Sequence, residues 1–228
     1  MGDDDVTLTD KVVLIAGATS TSGRAAASAL HAAGARVIAV GTNQERLDNL
    51  ALSVSGIDTE VCDLTSGSAV LELAMRIHHT IGPVDGVIQL VGGWRGGGGL
   101  TGQSDVDWAY LERALTSLRN TSRVFYDDLV ASPAGRFAMV SSTSVDAPKA
   151  GGANYAAMKA ASEAWTRALA NGLGKDSASA AAVIFVVTSL DGLETKLAER
   201  LVGLWSGDAA AINGARIPLT KQDSAQPG

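Results

Sequence analysis

A serine, a tyrosine and a lysine stand in this sequence at a spacing that suits proton transfer. They lie in the run SSTSVDAPKAGGANYAAMK, in which Ser142 precedes Tyr155 by thirteen residues and Tyr155 precedes Lys159 by four. If the segment after Gly152 is helical, Tyr155 and Lys159 lie one turn apart on the same face. An isolated tyrosine has a pKa of about 10, and a neighbouring ammonium favours the phenolate. The spacing predicts a phenol that exchanges a proton with a substrate oxygen near neutral pH, while Ser142 holds that oxygen.

Two elements must bring these side chains together. The segment RFAMVSS, residues 136–142, has the character of a buried strand that ends in hydroxyls. The segment ANYAAMKAASEAWTRALANGL is an alanine-rich helix that ends near Gly172 or Gly174. By itself, a Tyr–Lys pair at this spacing is usually an exposed pair on a helix. A strand that delivers a serine opposite a helix that delivers the pair is instead typical of an active site.

Strand-like and helix-like segments alternate along the chain. The predicted strands are KVVLIAG, RVIAVG, EVC, VDGVIQLVGG, RFAMVSS, AAAVIFVVTSL and ARIPL, and the longest helical segment between them runs from Val106 to Ala131. Strands joined by helices imply right-handed crossovers and a parallel sheet. We therefore predict an α/β fold, a single-domain Rossmann-type doubly wound parallel sheet with helices on both faces. The domain is expected to span residues 1–228, with flexible tails over 1–9 and 221–228.

The composition argues against several classes of protein. The net charge of −6, with no stripe of Lys and Arg, argues against a nucleic-acid partner. No apolar run reaches the roughly 18 residues of a membrane span. The acidic start MGDDDVTLTD is unlike a signal peptide, and the single Cys62 allows no internal disulfide, so we expect a cytoplasmic protein. His31, His78 and His79 lack partners at metal-ligand spacing, and no metal site is expected.

The first turn between a predicted strand and helix has the composition of a phosphate-binding turn. It reads GATSTSG, and at such a turn backbone N–H groups and the helix dipole can hold a pyrophosphate. A glycine-rich turn alone is weak evidence, but its place as the first βα turn of an alternating chain favours nucleotide binding. The candidate phosphate-binding residues are Gly17, Thr19, Ser20, Thr21, Ser22 and Gly23.

The end of the second predicted strand bears on which nucleotide would bind. Residues 40–43 read VGTN and contain no acid, whereas an NAD-selective site usually places an acid against the ribose 2′-hydroxyl. Thr42, Asn43 or Ser20 can hydrogen-bond a 2′-phosphate, although no arginine is evidently placed to clamp it. NADP(H) is therefore favoured, with NAD(H) as the alternative. Asp63, after the third strand, either accepts from an adenine amino group or caps the following helix.

With these residues in view, the chain resembles the short-chain dehydrogenase/reductase family from Lys11 to Leu219. The resemblance implies that Tyr155 is the acid/base and that Ser142 orients a carbonyl or alcohol. It implies that Lys159 binds the nicotinamide ribose and lowers the pKa of the tyrosine, with hydride passing to or from C4 of the nicotinamide. Further cofactor contacts that it implies are Asp63, Leu64, Val91, Gly92, Tyr155, Lys159 and Thr188.

The chain also departs from the family pattern. The TGxxxGxG turn reads AGATSTSG, with Ala16 in place of Thr and Thr21 in place of the middle glycine. The NNAG stretch after the fourth strand is replaced by QLVG at 89–92. The asparagine that completes a proton relay in the fourth helix is replaced by Ala114 or Leu115. Proton supply and nicotinamide placement are the two features that these changes affect.

Two short stretches are similar to the dihydropteridine reductases of the same family. They are GGWRGGGG at 92–99 and AAAVIFVVTSLD at 180–191, and those enzymes also lack the relay asparagine. Ser142 argues against identity, because those enzymes generally do without this serine and favour NADH through an acid that is missing here. The 92–99 stretch is expected to be a mobile loop beside the nicotinamide. Trp94 in it either stacks on a flat substrate or packs on the next helix.

Two functions are compatible with these features. The first is an NAD(P)(H)-dependent oxidoreductase that acts on a small carbonyl, alcohol or conjugated imine, with Trp94, Ser142 and Tyr155 contacting the substrate. The alternative is a catalytically weak dinucleotide-binding sensor or structural protein, suggested by the altered turn and the missing relay asparagine. Apolar stretches at 111–129 and 160–169 are longer than sheet coverage requires, and in the family these helices form subunit contacts. We therefore expect a homodimer or homotetramer.

Overall fold

A computed structural model describes residues 7–221, in which seven parallel strands form one sheet. The sheet has the order β3-β2-β1-β4-β5-β6-β7. The strands are β1 Val12–Ala16, β2 Arg36–Gly41, β3 Asp58–Val61, β4 Gly86–Gln89, β5 Arg136–Ser142, β6 Ala181–Val187 and β7 Arg216–Pro218. Each pairs in parallel with its neighbours. The predicted doubly wound α/β fold is confirmed, and every predicted strand corresponds to an observed one.

Helices cover both faces of this sheet. They are α1 Thr21–Ala32, α2 Gln44–Ser53, α3 Gly67–Thr80, α4 Asp105–Val124, α5 Tyr126–Ala131, α6 Ala153–Asp176, α7 Glu194–Val202 and α8 Ala209–Ile212. Alternate residues of β1 enter different cores, because successive side chains of a strand point to opposite faces. Leu14 packs in the core that also holds residues of α3, α4 and α6. Val13 and Ile15 pack in the core shared with α1, α2 and α7.

The long helix expected between Val106 and Ala131 is divided in two. α4 ends at Val124 and α5 begins at Tyr126, with Phe125 between them at φ −97° and ψ 11°. The Phe125 side chain is fully buried among residues of the α3 and α6 core. The break turns the chain so that this ring is buried, an outcome of tertiary packing that periodicity does not show.

The chain is already packed into the fold at Leu8, within the predicted N-terminal tail. Leu8 is fully buried, and its N–H donates to Ala33 O at 2.7 Å. The predicted tails, 1–9 and 221–228, fall mostly outside the described residues, but Leu8 belongs to the core. Within residues 7–221, no helix is both long enough and apolar enough to cross a membrane.

The strand order creates a crevice at one point of the sheet. The chain moves outward from β1 through β2 to β3, and then returns so that β4 lies on the other side of β1. Crossovers then leave the carboxyl ends of β1 and β4 without a helix between them, which is where ligands bind in doubly wound sheets. The turn after β1 and the loop after β4 meet there.

Candidate functional site

Ser142, Tyr155 and Lys159 meet at the carboxyl end of β5. Ser142 is the last residue of β5 and is 2% exposed. Short 3₁₀ turns over 143–145 and 150–152 lead from it into α6, which starts at Ala153. Tyr155 therefore lies in the first turn of α6 and Lys159 in the second. The structure brings together the three residues whose spacing suggested proton transfer.

The Ser142 hydroxyl is held by its own turn and lies close to the tyrosine. It accepts from Ser144 N at 3.1 Å and donates to Ser144 Oγ at 3.1 Å. Its proximity to the Tyr155 phenol lowers the pKa of that phenol. The Ser142 and Tyr155 hydroxyls line the same cavity, so a single substrate oxygen can contact both.

The effect on the tyrosine differs from the sequence-based expectation. Burial raises the pKa of Tyr155, and Ser142 acts in the opposite direction. We expected the Lys159 ammonium to lower this pKa, but it lies 5.8 Å from the centre of the Tyr155 ring. The ammonium instead donates to Val140 O at 2.7 Å. Desolvation therefore outweighs the effect of Ser142 in this arrangement, and the neutral phenol is favoured.

Lys159 is itself perturbed. Burial lowers its pKa to about 8, and the carboxylate of Glu163, one turn further along α6, raises it. A lysine with a pKa of about 8 is still mainly protonated at neutral pH, because that pKa lies above 7. The carbonyl of Val140 fixes the ammonium at the carboxyl end of β5.

A cavity of about 380 Å³ joins these groups to the neighbouring loops. It contains many of the predicted residues and several that were not singled out. Its lining is Ser20, Ser22, Gln89, Leu90, Val91, Gly92, Gly93, Trp94, Val140, Ser142, Ser144, Tyr155, Lys159, Val187, Thr188, Ser189 and Leu190. We call this the larger cavity.

A second cavity of about 140 Å³ lies next to it and shares Val91. We call it the smaller cavity, and it is lined by Gly17, Thr19, Val40, Gly41, Thr42, Cys62, Asp63, Leu64, Thr65, Val91, Arg113 and Ser117. The predicted cofactor residues are thus divided between two adjoining cavities at the crevice between β1 and β4. Thr21, Gly23 and Asn43 line neither: Thr21 opens α1, Gly23 is buried, and Asn43 caps α2.

The glycine-rich turn has the close backbone contacts that a phosphate-binding turn needs. Gly17 has φ +80°, and a Cβ there would lie 2.9 Å from backbone atoms of Leu90 and Val91. A Cβ at Gly23 would lie 2.5 Å from Gly17 O. Ser20 caps α1, because its Oγ accepts from Gly23 N at 3.0 Å. The turn therefore holds the start of α1, with its unpaired N–H groups, against both cavities, which fits a pyrophosphate.

Asp63 does not cap the helix that follows it. Ser66 takes that position, and its side chain accepts from Ala69 N. Asp63 Oδ1 instead accepts from Thr65 N at 3.0 Å and from Thr65 Oγ1 at 2.7 Å, and lies 3.6 Å from Arg113 Nη2. The bonds from Thr65 hold the pKa of Asp63 below its ordinary value, with Arg113 contributing. Of the two roles left open for Asp63, helix capping is wrong, and it lines the smaller cavity as an ionised acceptor.

Of the two residues that could replace the relay asparagine, Ala114 and Leu115, Ala114 is the one that faces the site. It borders a small hollow together with Tyr155 and Lys159, on the side of α4 that faces α6. A methyl group there cannot relay a proton. The buried Asn120, further along α4, points elsewhere and donates to Leu64 O and Thr65 O, both at 3.1 Å.

Trp94 does not pack on the next helix. Its side chain is 61% exposed, and it lines the larger cavity. Arg95 lies over the Tyr110 ring of α4 at 4.1 Å. The second of the two interpretations of Trp94 is therefore wrong, and its indole is available at the rim.

The loop that carries Trp94 is tied to the segment that precedes Tyr155. Gly97 N donates to Gly151 O at 2.7 Å. The Gln103 side-chain amide donates to Gly97 O, Gly99 O and Gly151 O at 3.0–3.1 Å, and its oxygen accepts from Asn154 N at 3.1 Å. Gln103 thus connects the two loops, a role that no sequence motif indicates.

Other cavity residues were also missed. Gln89 is 4% exposed, donates to Ser117 Oγ at 2.9 Å and accepts from Thr121 Oγ1 at 3.2 Å. The signal for it was a polar residue at the end of an apolar strand. Ser144 and Ser189 follow residues that had been singled out. Among residues 7–221, no cluster of three or more His, Cys, Asp and Glu side chains is arranged to hold a metal ion.

Comparisons with known proteins agree with this architecture. Residues 11–200 match the family described as short chain dehydrogenase. The chain is 30% identical over 164 residues to 2,3-dihydro-2,3-dihydroxybenzoate dehydrogenase of Bacillus subtilis (strain 168). That match covers 70% of this chain and 62% of that enzyme, so less than two thirds of the relative is spanned.

Solved structures show the same fold. A metagenomic short-chain oxidoreductase in complex with NADP superposes with a TM-score of 0.83 at 21% identity, covering 94% of this chain and 99% of that one. NAD+-bound xylitol dehydrogenase superposes with a TM-score of 0.78 at 18% identity, covering 92% and 98% of the two chains. At these identities the likeness establishes the shared fold.

Proposed function

The chain belongs to the short-chain dehydrogenase family, and from this premise we propose that it is an NAD(P)(H)-dependent oxidoreductase acting on a small carbonyl, alcohol or conjugated imine. The observation that carries the proposal is the meeting of Ser142, Tyr155 and Lys159 in one cavity that also reaches the glycine-rich turn. Because Gly17 and Gly23 have no Cβ, the turn can pack closely against neighbouring backbone, and the start of α1 would hold the pyrophosphate. When bound, the nicotinamide supplies or accepts the hydride.

The three residues divide the proton chemistry among them. In the direction of reduction, the neutral Tyr155 phenol donates its proton to the substrate oxygen as the carbon is reduced. Ser142 hydrogen-bonds the same oxygen when its hydroxyl turns from Ser144 Oγ, to which it donates here, toward the substrate. The positive charge of Lys159 stabilises the phenolate that remains. In the direction of oxidation, the same groups act in reverse.

The lining of the larger cavity favours an uncharged, compact substrate. Of the residues that line it, Lys159 alone carries a formal charge, and its ammonium is bound to Val140 O. The remaining surface combines apolar side chains with the hydroxyls of Ser144, Thr188 and Ser189. A carboxylate substrate would therefore lose hydration without gaining a free counter-charge. A flat ring can instead lie against the exposed Trp94 indole.

The test is a panel of aldehydes, ketones and quinonoid dihydropterins, followed by the loss of NADPH absorbance. Turnover is expected with neutral planar members, and benzaldehyde should have a kcat/KM at least about tenfold above that of 4-carboxybenzaldehyde. Equal rates for that pair would contradict the neutral-substrate proposal. If neither NADPH nor NADH bound, the oxidoreductase proposal itself would fail.

We favour NADP(H) over NAD(H) because of the residues around the end of β2. No acid lies between the end of β2 and the start of α2. Arg24 of α1 contacts both the glycine-rich turn and α2. Its Nε donates to Thr19 O at 3.4 Å and its Nη2 to Arg46 O at 3.3 Å. The sequence indicated no arginine for a 2′-phosphate, because Arg24 and α2 are far apart along the chain. Half-buried and beside the smaller cavity, Arg24 can supply that charge.

Separate titrations with NADPH and NADH, followed by nucleotide fluorescence, test this preference. NADPH is expected to bind at least about tenfold more tightly, equivalent to about 1.4 kcal/mol. Arg24→Gln should weaken NADPH binding by a similar factor and leave NADH binding within about twofold. Equal affinities in the unaltered protein would favour NAD(H) use instead.

We also propose that two or four copies associate through α4, α5 and α6. A groove of about 370 Å³ between these helices is lined by apolar parts of Tyr126, Trp165, Ala168 and Leu169. Light scattering after gel filtration should give a mass of two or four chains. Ala168→Arg is expected to reduce it to one, while Leu52→Arg on the exposed face of α2 should not. A single-chain mass for the unaltered protein would contradict the proposal.

The alternative, a dinucleotide-binding protein with little catalysis, is favoured by two observations. Ala114 has no polar group with which to relay a proton beside Tyr155, and burial raises the pKa of that tyrosine. This function predicts tight NADPH binding without turnover on the whole panel. The panel and the titrations together therefore separate the two functions.

A further inference from the structure

A buried carboxylate stands behind the three site residues. Glu163 lies in α6, one turn beyond Lys159, and is 1% exposed. The Ser141 hydroxyl donates to its Oε1 at 2.6 Å. Arg216 Nε of β7 donates to both oxygens, at 3.2 and 3.1 Å, and Arg167 Nη1 donates to Oε2 at 3.2 Å. Three elements of the fold therefore converge on one carboxylate that the reaction itself does not use.

Burial of the Glu163 carboxylate would be unfavourable if its only role were to fill space. Taking a carboxylate out of water is unfavourable unless it is paired, and apolar residues of similar size often do as well or better. The partners here are also unequal in position. Arg167 is 56% exposed and Arg216 34%, but Ser141 is fully buried and precedes Ser142 directly. Glu163 thus contacts the end of β5 at the residue next to the proposed substrate-orienting serine.

We propose that Glu163 is a positioning residue that places a buried negative charge one helical turn from Lys159 and fixes the Ser141–Ser142 end of β5. The inference rests on the proposed function, since it concerns groups assigned to proton transfer there. Glu163 does not touch the substrate; it acts through Lys159 and Ser141.

The surroundings of Lys159 make Glu163 the source of compensating charge. On α6, the ammonium has Tyr155 before it and Glu163 after it; on β5, it has the carbonyl of Val140. α4 presents Leu111 and Ala114 on the side of the small hollow, and the loop after β4 presents Gly92 and Gly93, all uncharged. Arg216 of β7 contacts Glu163, and its Nη2 lies 2.7 Å from the carboxylate of Asp146, which follows β5.

The sign of the effect follows from these neighbours. Burial disfavours the ammonium, and the Glu163 carboxylate opposes that effect. A neutral side chain at this position would remove that opposing charge and leave the Arg167 and Arg216 guanidinium groups without their shared partner. The pKa of Lys159 should then fall below about 8, so that a larger share of the lysine is neutral at physiological pH.

The experiment measures the lysine directly. In protein labelled with ¹³C at lysine Cε, the Lys159 signal is assigned by its loss in Lys159→Met and followed from pH 6 to 11 by NMR. Glu163→Gln is expected to lower the pKa of Lys159 by at least about one unit. The alkaline limb of kcat/KM against pH should move in the same direction. Arg167→Gln, which removes an exposed partner of the same carboxylate, is the matched control and should shift neither curve by more than about 0.3 units.

Two further variants separate charge from shape. Glu163→Asp keeps the charge but moves it away by about one methylene. Its Lys159 pKa should therefore lie nearer to that of the unaltered protein than to that of Glu163→Gln. Ser141→Ala removes the hydrogen bond and keeps the carboxylate, so kcat should fall several-fold with the pKa of Lys159 unchanged. If Glu163→Gln does not fold, a lowered lysine pKa in Glu163→Asp carries the test.

The outcomes distinguish this inference from the proposed function. An unshifted Lys159 titration in a folded Glu163→Gln protein would overturn the inference, even if the protein turns over NADPH. Absence of turnover in the unaltered protein would instead count against the proposed function, while the NMR titration would still decide whether Glu163 controls Lys159.

Discussion

The larger cavity has one wall of buried side chains and an opposite wall of backbone. The side-chain wall, residues 140–142 and 155–163, borders the cavity through Val140, Ser142, Tyr155 and Lys159, and Glu163, at 1% exposure, lies behind them. The backbone wall, residues 92–104, borders the cavity through Gly92, Gly93 and Trp94, the last at 61% exposure, and continues into glycines 97, 98 and 99 with positive φ. Charged and hydroxyl groups fix the first, while Gln103 and main-chain hydrogen bonds fix the second.

This difference separates two demands on the site. Proton transfer requires fixed distances, which buried and fully paired side chains maintain, because moving any one of them leaves another unpaired. Substrate selection needs a surface that can vary without loss of the fold. A loop held through its backbone permits that, since the Trp94 side chain takes no part in holding the loop.

Removal of the phenolic hydroxyl on the side-chain wall should have the largest effect. Tyr155→Phe keeps the ring but has no proton to donate, so kcat is expected to fall by about 10²–10⁴-fold. NADPH affinity should stay within about threefold, as measured by fluorescence titration. Retention of more than a tenth of the activity would mean that another group supplies the proton.

On the backbone wall, the most sensitive position should be a glycine and not the tryptophan. A Cβ at Gly96 would lie 2.4 Å from Gly151 O, a backbone atom. Gly96→Ala should lower the free energy of unfolding by about 1–3 kcal/mol and kcat by about tenfold, because the two loops must separate. Urea denaturation and steady-state kinetics measure both effects.

The matched control for that substitution is Gly203→Ala. Nothing lies within 4 Å of a Cβ at Gly203, and its φ of −63° is open to any residue. This variant should be as stable as the parent or more so, by about 0.4–1 kcal/mol. Equal behaviour of the two variants would show that the backbone wall is not held as described.

Truncation of Trp94 should change substrate affinity and little else. A stacked ring contributes about 0.5–1.5 kcal/mol, so Trp94→Ala should raise KM for a planar substrate about 3- to 10-fold with kcat nearly unchanged. Trp108→Ala on α4, which lines neither cavity, is the control. A fall in kcat with constant KM would mean that Trp94 acts in the chemical step, as the residues of the side-chain wall do.

The last expected effect concerns stability and not activity: it is the pH dependence contributed by Lys159. Its pKa is about 8 in the folded protein and 10.5 in its unperturbed form. Between these values the unfolded state binds more protons, so the stability contributed by this group rises with pH. The unfolding free energy of the parent relative to Lys159→Met should therefore increase from pH 8 to 10. A flat difference would contradict the buried ammonium.

Much of the fold was predictable because its signals are local. Apolar runs separated by amphipathic segments predicted all seven strands, and the start of α6 at Ala153 was predicted as observed. The break at Phe125 was not predictable, since the amphipathic pattern continues through it and only the α3 and α6 core explains why the ring turns inward. Helix capping by Asp63 was predicted as one option, but Ser66 competes for the same role from three residues away.

For the site, the sequence determined which residue types meet. Ser142, Tyr155 and Lys159 could be found from spacing, because a strand and a helical turn fix where each side chain emerges. The tertiary structure alone decided what surrounds them: the Val140 carbonyl that binds the ammonium, Glu163 with its partners from β5 and β7, Arg24 beside α2, and Gln103 between two loops. Burial and long-range pairing set protonation, and both depend on contacts between residues far apart in the chain. For this reason the direction of the Tyr155 pKa shift was predicted wrongly from spacing.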